Sequence, residues 1–246
     1  MYFELTGTNV RILGSLHVFP KAFPHWPRWA VDAAAWAEHI ILELDGQQVG
    51  GTFNVPPELA CQALLPADTW HRLSVCWPNA YPSLHEMPPW RAAALLSTLN
   101  REESPTGGLE HGYTRWAEEN HIDVAYLETA TEFRDALSSI PLPDVEALML
   151  DALTNLGRNN DKLLRLYQDW KGRKLEVMFR RAQKELLCSM PSTRDALFGR
   201  RNSAWLPKIE AACKSERRTL VAVGALHLCG PGNVLELLGR PYSTVK

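Results

Sequence analysis

The stretch TLVAVGALHLCGPGNVLELLG, Thr219–Gly239, decides the fold. Its core, LVAVGAL, is apolar at every position, so neither face of a strand formed here suits water. Strands of that kind sit in the middle of sheets covered on both sides by helices. The run is expected to be a central strand over Thr219–Leu228, carrying His227 where it is about to end. Gly230-Pro231-Gly232 then turns the chain into a short helix over PGNVLELLG.

The opposite end of the chain repeats the pattern. VRILGSLHVFP, Val10–Pro20, contains Gly14-Ser15-Leu16-His17, and the C-terminal run contains Gly224-Ala225-Leu226-His227. Two apolar strands therefore end in the same Gly-x-x-His. In open α/β sheets ligands bind outside the carboxyl ends of the strands, and a glycine allows close approach of backbone or substrate. One such histidine is more often a satisfied core residue than a ligand; two in the same context point to a shared site.

Between these ends strands and helices alternate. YFEL and VRILGSLHV flank a Thr-Gly-Thr-Asn turn and read as a β-hairpin. RWAVDAAAWAEH reads as a helix, IILELD as a strand, and GQQVGGTFN as a turn. Short helices are expected over Pro57–Leu64, Ala67–Cys76 and Pro89–Leu99, and REESPTGGLEHG is expected to be a loop. A helix over Tyr113–Asn120, the strand IDVAYLE and a helix over Ala130–Ser139 follow. From Val145 to Leu187 the chain reads as helical, with breaks near Gly157 and Gly172. PSTRDALFGRRNSAWLPKIEAAC gives two more helices, and YSTV an edge strand. The expected fold is α/β: a single domain over residues 1–246, with a central mixed, largely parallel sheet flanked by helices and a helical middle insertion.

Bulk properties exclude several classes. The 246 residues are 46% hydrophobic and 22% charged, enough apolar material for a core without disulfides. The formal net charge of −2 offers no broad attraction to nucleic acid or anionic lipid. No apolar stretch is long enough to span a bilayer. The N-terminus has neither a basic nor a long apolar region of the kind a signal peptide needs. The five cysteines, Cys61, Cys76, Cys188, Cys213 and Cys229, have no C-x-x-C spacing and read as reduced thiols, which together with the missing signal points to the cytoplasm. The nine tryptophans read as packing anchors.

Four further polar residues need partners. Glu43 lies in IILELD, on the face shared by Ile41 and Asp45. A buried carboxylate there needs a cation, a metal or hydrogen-bond donors; the alternative is an exposed strand end. Glu128 closes an apolar strand, with a helix N-cap as its alternative setting. Arg201, or its neighbour Arg200, stands with Asn202 at what reads as a helix start, able to hold a substrate carboxylate or an oxyanion. Two histidines with one or two glutamates make an open metal site that activates water, or a metal-free site in which a His polarised by a Glu is the base. Cys229 beside His227 is a lesser candidate for a nucleophile pair.

Taken together, LGSLHVFP, ILELD, PPWRAAAL (Pro88–Leu95), YLETATEF (Tyr126–Phe133), DWKG (Asp169–Gly172), RRNSAW (Arg200–Trp205) and VAVGALHLCGPGNVLELL resemble the TraB/GumN family over nearly the whole chain. That family is related to the Tiki proteases and, more distantly, to erythromycin esterase-like and ChaN-like proteins. The resemblance implies a metal-dependent hydrolase acting on a peptide, or on a small-molecule substrate. His17, Glu43 and His227 would be the metal ligands, and Glu128, Arg201 and Asn202 would complete the catalytic set, Arg201 and Asn202 also binding substrate. Mn²⁺ or Co²⁺ is the implied cofactor, with Zn²⁺ as a third choice. A metal-free esterase-like hydrolase and a haem- or ligand-binding protein are the implied alternatives. The chain departs from the family pattern at Glu110, where an Asp is usual, at Phe133, where a Gln is usual, and in having no visible export signal.

Overall fold

The computed structural model describes the chain apart from Ala22, Pro24 and residues 47–53, 78–83 and 99–105. Eight strands occur among the described residues: β1 (Tyr2–Leu5), β2 (Val10–Ser15), β3 (Val18–Phe19), β4 (His39–Leu42), β5 (Thr106–Gly107), β6 (Asp123–Tyr126), β7 (Thr219–Gly224) and β8 (Tyr242–Thr244). Six of them form one sheet in the order β6-β4-β7-β2-β1-β8, while β3 and β5 form a separate antiparallel pair. The run β6-β4-β7-β2 is parallel throughout, and the hairpin partner β1 and the edge strand β8 are antiparallel additions. The expected α/β architecture, a mixed and mostly parallel sheet flanked by helices, is the observed one.

The apolar run at Thr219–Gly224 is central, as its composition requires. All six residues of β7 are buried. Alternation divides them between two cores. Leu220 and Ala222 join Leu13, Ile40 and Leu42 against the helices Arg28–Trp36 and Leu109–Asn120 and against Trp170. Val221 and Val223 join Ile12 and Ile41 against Trp205 and Ile209 of the helix Arg200–Cys213 and against the helix Val234–Leu238. Burying a Leu- or Val-sized side chain fully contributes about 1.5–3 kcal/mol, so both helical layers are held mainly by these alternating contacts. A third apolar cluster contains no strand. There the helices Ala67–Cys76, Pro89–Thr98, Ala130–Ser138 and Leu142–Asn155 pack on one another.

Helix breaks fall where glycine and proline require them. A short 3₁₀ turn, Leu156–Arg158, separates Leu142–Asn155 from Asn159–Lys171, and Gly172 ends the latter. Pro143 lies in the first turn of its helix, where its missing N–H leaves no intrahelical bond unmade.

Three readings are corrected. The strand expected over Thr219–Leu228 stops at Gly224, and Ala225–Leu228 is a 3₁₀ turn that carries His227. The loop expected over REESPTGGLEHG holds β5 and the start of the helix Leu109–Asn120; residues 101–105 lie outside the described residues. The two helices expected around Arg201 are continuous, because Pro191–Arg194 runs through a π-helical turn, Asp195–Gly199, into Arg200–Cys213. Most of the GQQVGGTFN turn, and Leu99, lie outside the described residues. All five cysteines are unpaired. Among the described residues no helix is long and apolar enough to cross a membrane.

Candidate functional site

Four parallel strands end side by side, and each delivers a polar residue just beyond its end. β2 leads to His17, β4 to Glu43, β6 to Glu128, and β7 through its 3₁₀ turn to His227. Backbone pairing continues past the strands: Leu42 and Glu43 carbonyls accept the N–H groups of Leu127 and Glu128 at 2.8 and 3.0 Å. The two glutamates are thereby locked side by side, both 5% exposed.

Arg201 makes that burial possible. Its Nε donates to both Glu128 oxygens at 3.0 Å, its Nη2 to Glu128 Oε1 at 2.5 Å and to Glu43 Oε2 at 2.7 Å. Its Nη1 donates to the Leu197 carbonyl at 3.0 Å and faces His227 Nε2 at 3.4 Å. The guanidinium lies between the Phe133 and Trp205 rings, 5.0 and 4.8 Å from their centroids, a placement that cation–π attraction favours. All five guanidinium N–H groups are committed. Arg201 as placed therefore has no donor for a substrate carboxylate or an oxyanion, and it acts as a strut between two buried carboxylates. Arg200, by contrast, is exposed and pairs with Asp195.

Asn202 is likewise occupied. Its Nδ2 donates to the Gly232 carbonyl at 2.9 Å, which aims Oδ1 at His227 Nδ1, 2.5 Å away. That contact puts the His227 hydrogen on Nδ1 and leaves Nε2 as the acceptor. The His227 ring packs edge-on with Phe198 and at a tilt against Trp205, with centroids at 5.0 and 4.5 Å, and is 3% exposed. Burial lowers its pKa to about 3, so the ring is neutral at physiological pH.

Glu43 stands between the two histidines. Its Oε1 accepts the Gly224 N–H at 2.5 Å and lies 3.6 Å from His227 Nε2 and 3.9 Å from His17 Nε2. Burial works against its charge, but His227, Arg201, His17 and the Gly224 N–H outweigh it and hold the carboxyl at about 2. Burial raises the Glu128 carboxyl, with Arg201 opposing.

His17 differs in exposure: its side chain is 56% exposed. Its Nδ1 is 3.0 Å from Glu110 Oε1. The charge of Glu110, joined by that of Glu43, outweighs desolvation by the surrounding protein and raises the ring to about 9. Glu110 is the residue to which sequence reasoning assigned no role. The only signal was its place in the resemblance, as a Glu where the family usually has Asp. The start of its helix is pressed onto the His17 segment. Leu109 N–H donates to the Leu16 carbonyl at 2.9 Å, and a Cβ on Gly108 would sit 2.1 Å from the His17 carbonyl carbon. Among the described residues, His17, Glu43 and Glu110 form the one group whose ligand atoms lie within 4.8 Å of one another in a metal-compatible set. His227 is outside it, facing Arg201. Burial pushes the Cys229 thiol up to about 12, away from the thiolate a nucleophile needs.

The model of the TraB/PrgY/gumN family matches residues 3–246. The chain belongs to that family. Among family relatives, the uncharacterized protein YbaP of Escherichia coli (strain K12) is 26% identical over 245 residues, covering 94% of this chain and 88% of that protein. YbaP of Shigella flexneri is 26% identical over 242 residues, covering 92% and 86%. No solved structure gives a significant match.

The two histidines make opposite contributions to stability against pH. His227 titrates at about 3 when folded and near 6.5 when unfolded. Between those values the unfolded chain binds a proton that the folded chain does not, so stability falls as pH drops from 6.5, by at most about 1.4 kcal/mol per unit. His17 holds its proton up to about 9 when folded, so its contribution is complete below 6.5 and is lost as pH rises through 9, with solvent screening reducing it. Urea denaturation of metal-free protein is expected to show stability falling as pH drops below about 6.5, and on the alkaline side falling only above about pH 8, because the buried N-terminal amine, lowered from 8.0 to about 6, offsets His17 between 6.5 and 8. His227→Gln is expected to flatten the limb between about pH 5 and 6.5, where Glu43 does not titrate. An unchanged limb in that variant would contradict the assignment.

Proposed function

We propose that the protein is a metal-dependent hydrolase acting on a peptide substrate, with His17 and Glu43 holding a divalent ion. The observation that carries this reading is the His17–Glu43–Glu110 group at the carboxyl ends of the parallel strands, with the His17 side open to solvent. His17 Nε2 and Glu43 Oε1, an imidazole nitrogen and a carboxylate oxygen 3.9 Å apart, are donors suited to Mn²⁺, Co²⁺ or Zn²⁺, so the residues fit the ion that the family resemblance implies. Such an ion, when bound, polarises a carbonyl and makes water a better nucleophile at neutral pH.

The remaining residues position and neutralise. Arg201 holds Glu43 Oε2, which leaves Oε1 turned toward His17. Glu128 shares the guanidinium and balances its charge. Asn202 fixes the His227 tautomer, and the neutral Nε2, facing Arg201 and Glu43, helps hold the strut and the carboxylate in place. Proteolytic specificity for a peptide follows from the family resemblance alone.

The metal-free alternative is favoured by a different contact. The carboxylate that orients His17 is Glu110 at 3.0 Å, not Glu43 at 3.9 Å, and this pair has the form of a general-base dyad. The haem alternative loses one ligand, because His227 is buried with both ring nitrogens facing protein partners. The test is hydrolysis of a quenched-fluorescence peptide library. Chelator-stripped protein is expected to be inactive and to recover with Mn²⁺ or Co²⁺. Activity surviving exhaustive chelation overturns the proposal in favour of the His17–Glu110 base.

A further inference from the structure

Glu110 has a second contact. The buried Ser15 hydroxyl donates to Glu110 Oε1, the same oxygen that faces His17 Nδ1. A carboxylate oxygen offers about two acceptor directions. The Ser15 O–H fills one and His17 Nδ1, 3.0 Å away, faces the other, so Oε1 is turned to these two groups. The geometry is set by backbone: Ser15 ends β2, His17 follows two residues later, and Glu110 stands in the first turn of the helix whose Leu109 N–H is tied to the Leu16 carbonyl. With Nδ1 turned toward Glu110, His17 Nε2 is the nitrogen that points to the Gly224 backbone and Glu43.

We propose that Glu110, braced by Ser15, is a positioning residue. It fixes His17 in the tautomer with hydrogen on Nδ1 and so presents the Nε2 lone pair to the ion, acting from behind the ligand rather than on the metal. The inference rests on the metal-centre reading of the site for its function, but its structural part concerns the His17 ring alone. A carboxylate behind a ligating histidine orients the ring and raises its basicity, and losing it typically weakens metal binding 10–100-fold.

The experiment has two readouts. Long-range ¹H–¹⁵N NMR of metal-free protein, recorded on the alkaline side of the His17 pKa of about 9, reads the tautomer. Calorimetric titration with Mn²⁺ reads affinity. Wild type is expected to show the Nδ1–H tautomer. Glu110→Ala is expected to shift the ring to Nε2–H and weaken Mn²⁺ binding roughly 10–100-fold. Glu110→Gln, whose amide oxygen can still accept from Nδ1, is expected to retain the tautomer and most of the affinity. An Nε2–H tautomer in wild type overturns the proposal. So does a Glu110→Gln variant that loses Mn²⁺ as severely as Glu110→Ala, which is the behaviour of a direct ligand. If wild type binds no Mn²⁺, the metal-centre reading fails, while the tautomer still decides what Glu110 does to His17.

Discussion

Arg201→Met is expected to destabilise the fold by about 3–5 kcal/mol, the range for removing one partner of a buried ion pair. Methionine fills much of the volume between Phe133 and Trp205 but supplies no N–H group. Glu43 and Glu128, each 5% exposed, lose their shared cation together. Glu43 keeps the Gly224 N–H, whereas Glu128 loses the guanidinium that holds both of its oxygens. Adding Glu128→Gln to Arg201→Met removes one of the stranded charges and is expected to recover part of the loss. Equilibrium urea denaturation of the single and double variants measures both effects. A single variant within about 0.5 kcal/mol of wild type, the range of an ordinary surface substitution, would contradict the role of Arg201 as the strut of the site.

Gly224→Ala is expected to act on the site and spare the fold. Gly224 has φ −51° and ψ 135°, which alanine adopts without strain. Its added Cβ would fall 2.7 Å from His17 Nε2 and 3.3 Å from Glu43 Oε1, with no backbone atom among the nearest contacts. The neighbour that must give way is therefore the end of a half-exposed side chain. The His17 ring is expected to swing out, leaving stability within about 1 kcal/mol of wild type and lowering Mn²⁺ affinity by at least about 100-fold, beyond the ordinary effect of an outer-shell change. This also accounts for the glycine of the second Gly-x-x-His: it clears space for the histidine of the first. Calorimetric titration beside a denaturation curve separates the two effects. Wild-type affinity in a folded Gly224→Ala protein would contradict the placement of His17 Nε2 in the centre.

Much of this was legible in the residues because local rules governed it. LVAVGAL is apolar on both faces and is the inner strand β7. Thr129 caps its helix through a capping box with Glu132, as its place after an apolar strand predicts. His17, Glu43, Glu128 and His227 converge because four parallel strands end together, and the helix Arg200–Cys213 brings Arg201 and Asn202 to them. The illegible parts depend on contacts distant in sequence. Apolar periodicity cannot distinguish a strand from the 3₁₀ turn Ala225–Leu228, since ALHL continues the run of small and apolar residues. The π turn before Arg201 has no compositional signature, so a continuous helix read as a helix start. Glu110 sat in a glycine-rich stretch that reads as loop. Gly108 is needed there because the helix start presses on the His17 backbone, a contact across more than ninety residues that no local pattern encodes.

The most direct test of the account is calorimetric titration of chelator-stripped protein with Mn²⁺, with His17→Ala as the control. The account predicts stoichiometric binding to wild type that is lost in folded His17→Ala. Undiminished binding in that variant, or none to folded wild type, would contradict a metal centre at His17 and Glu43.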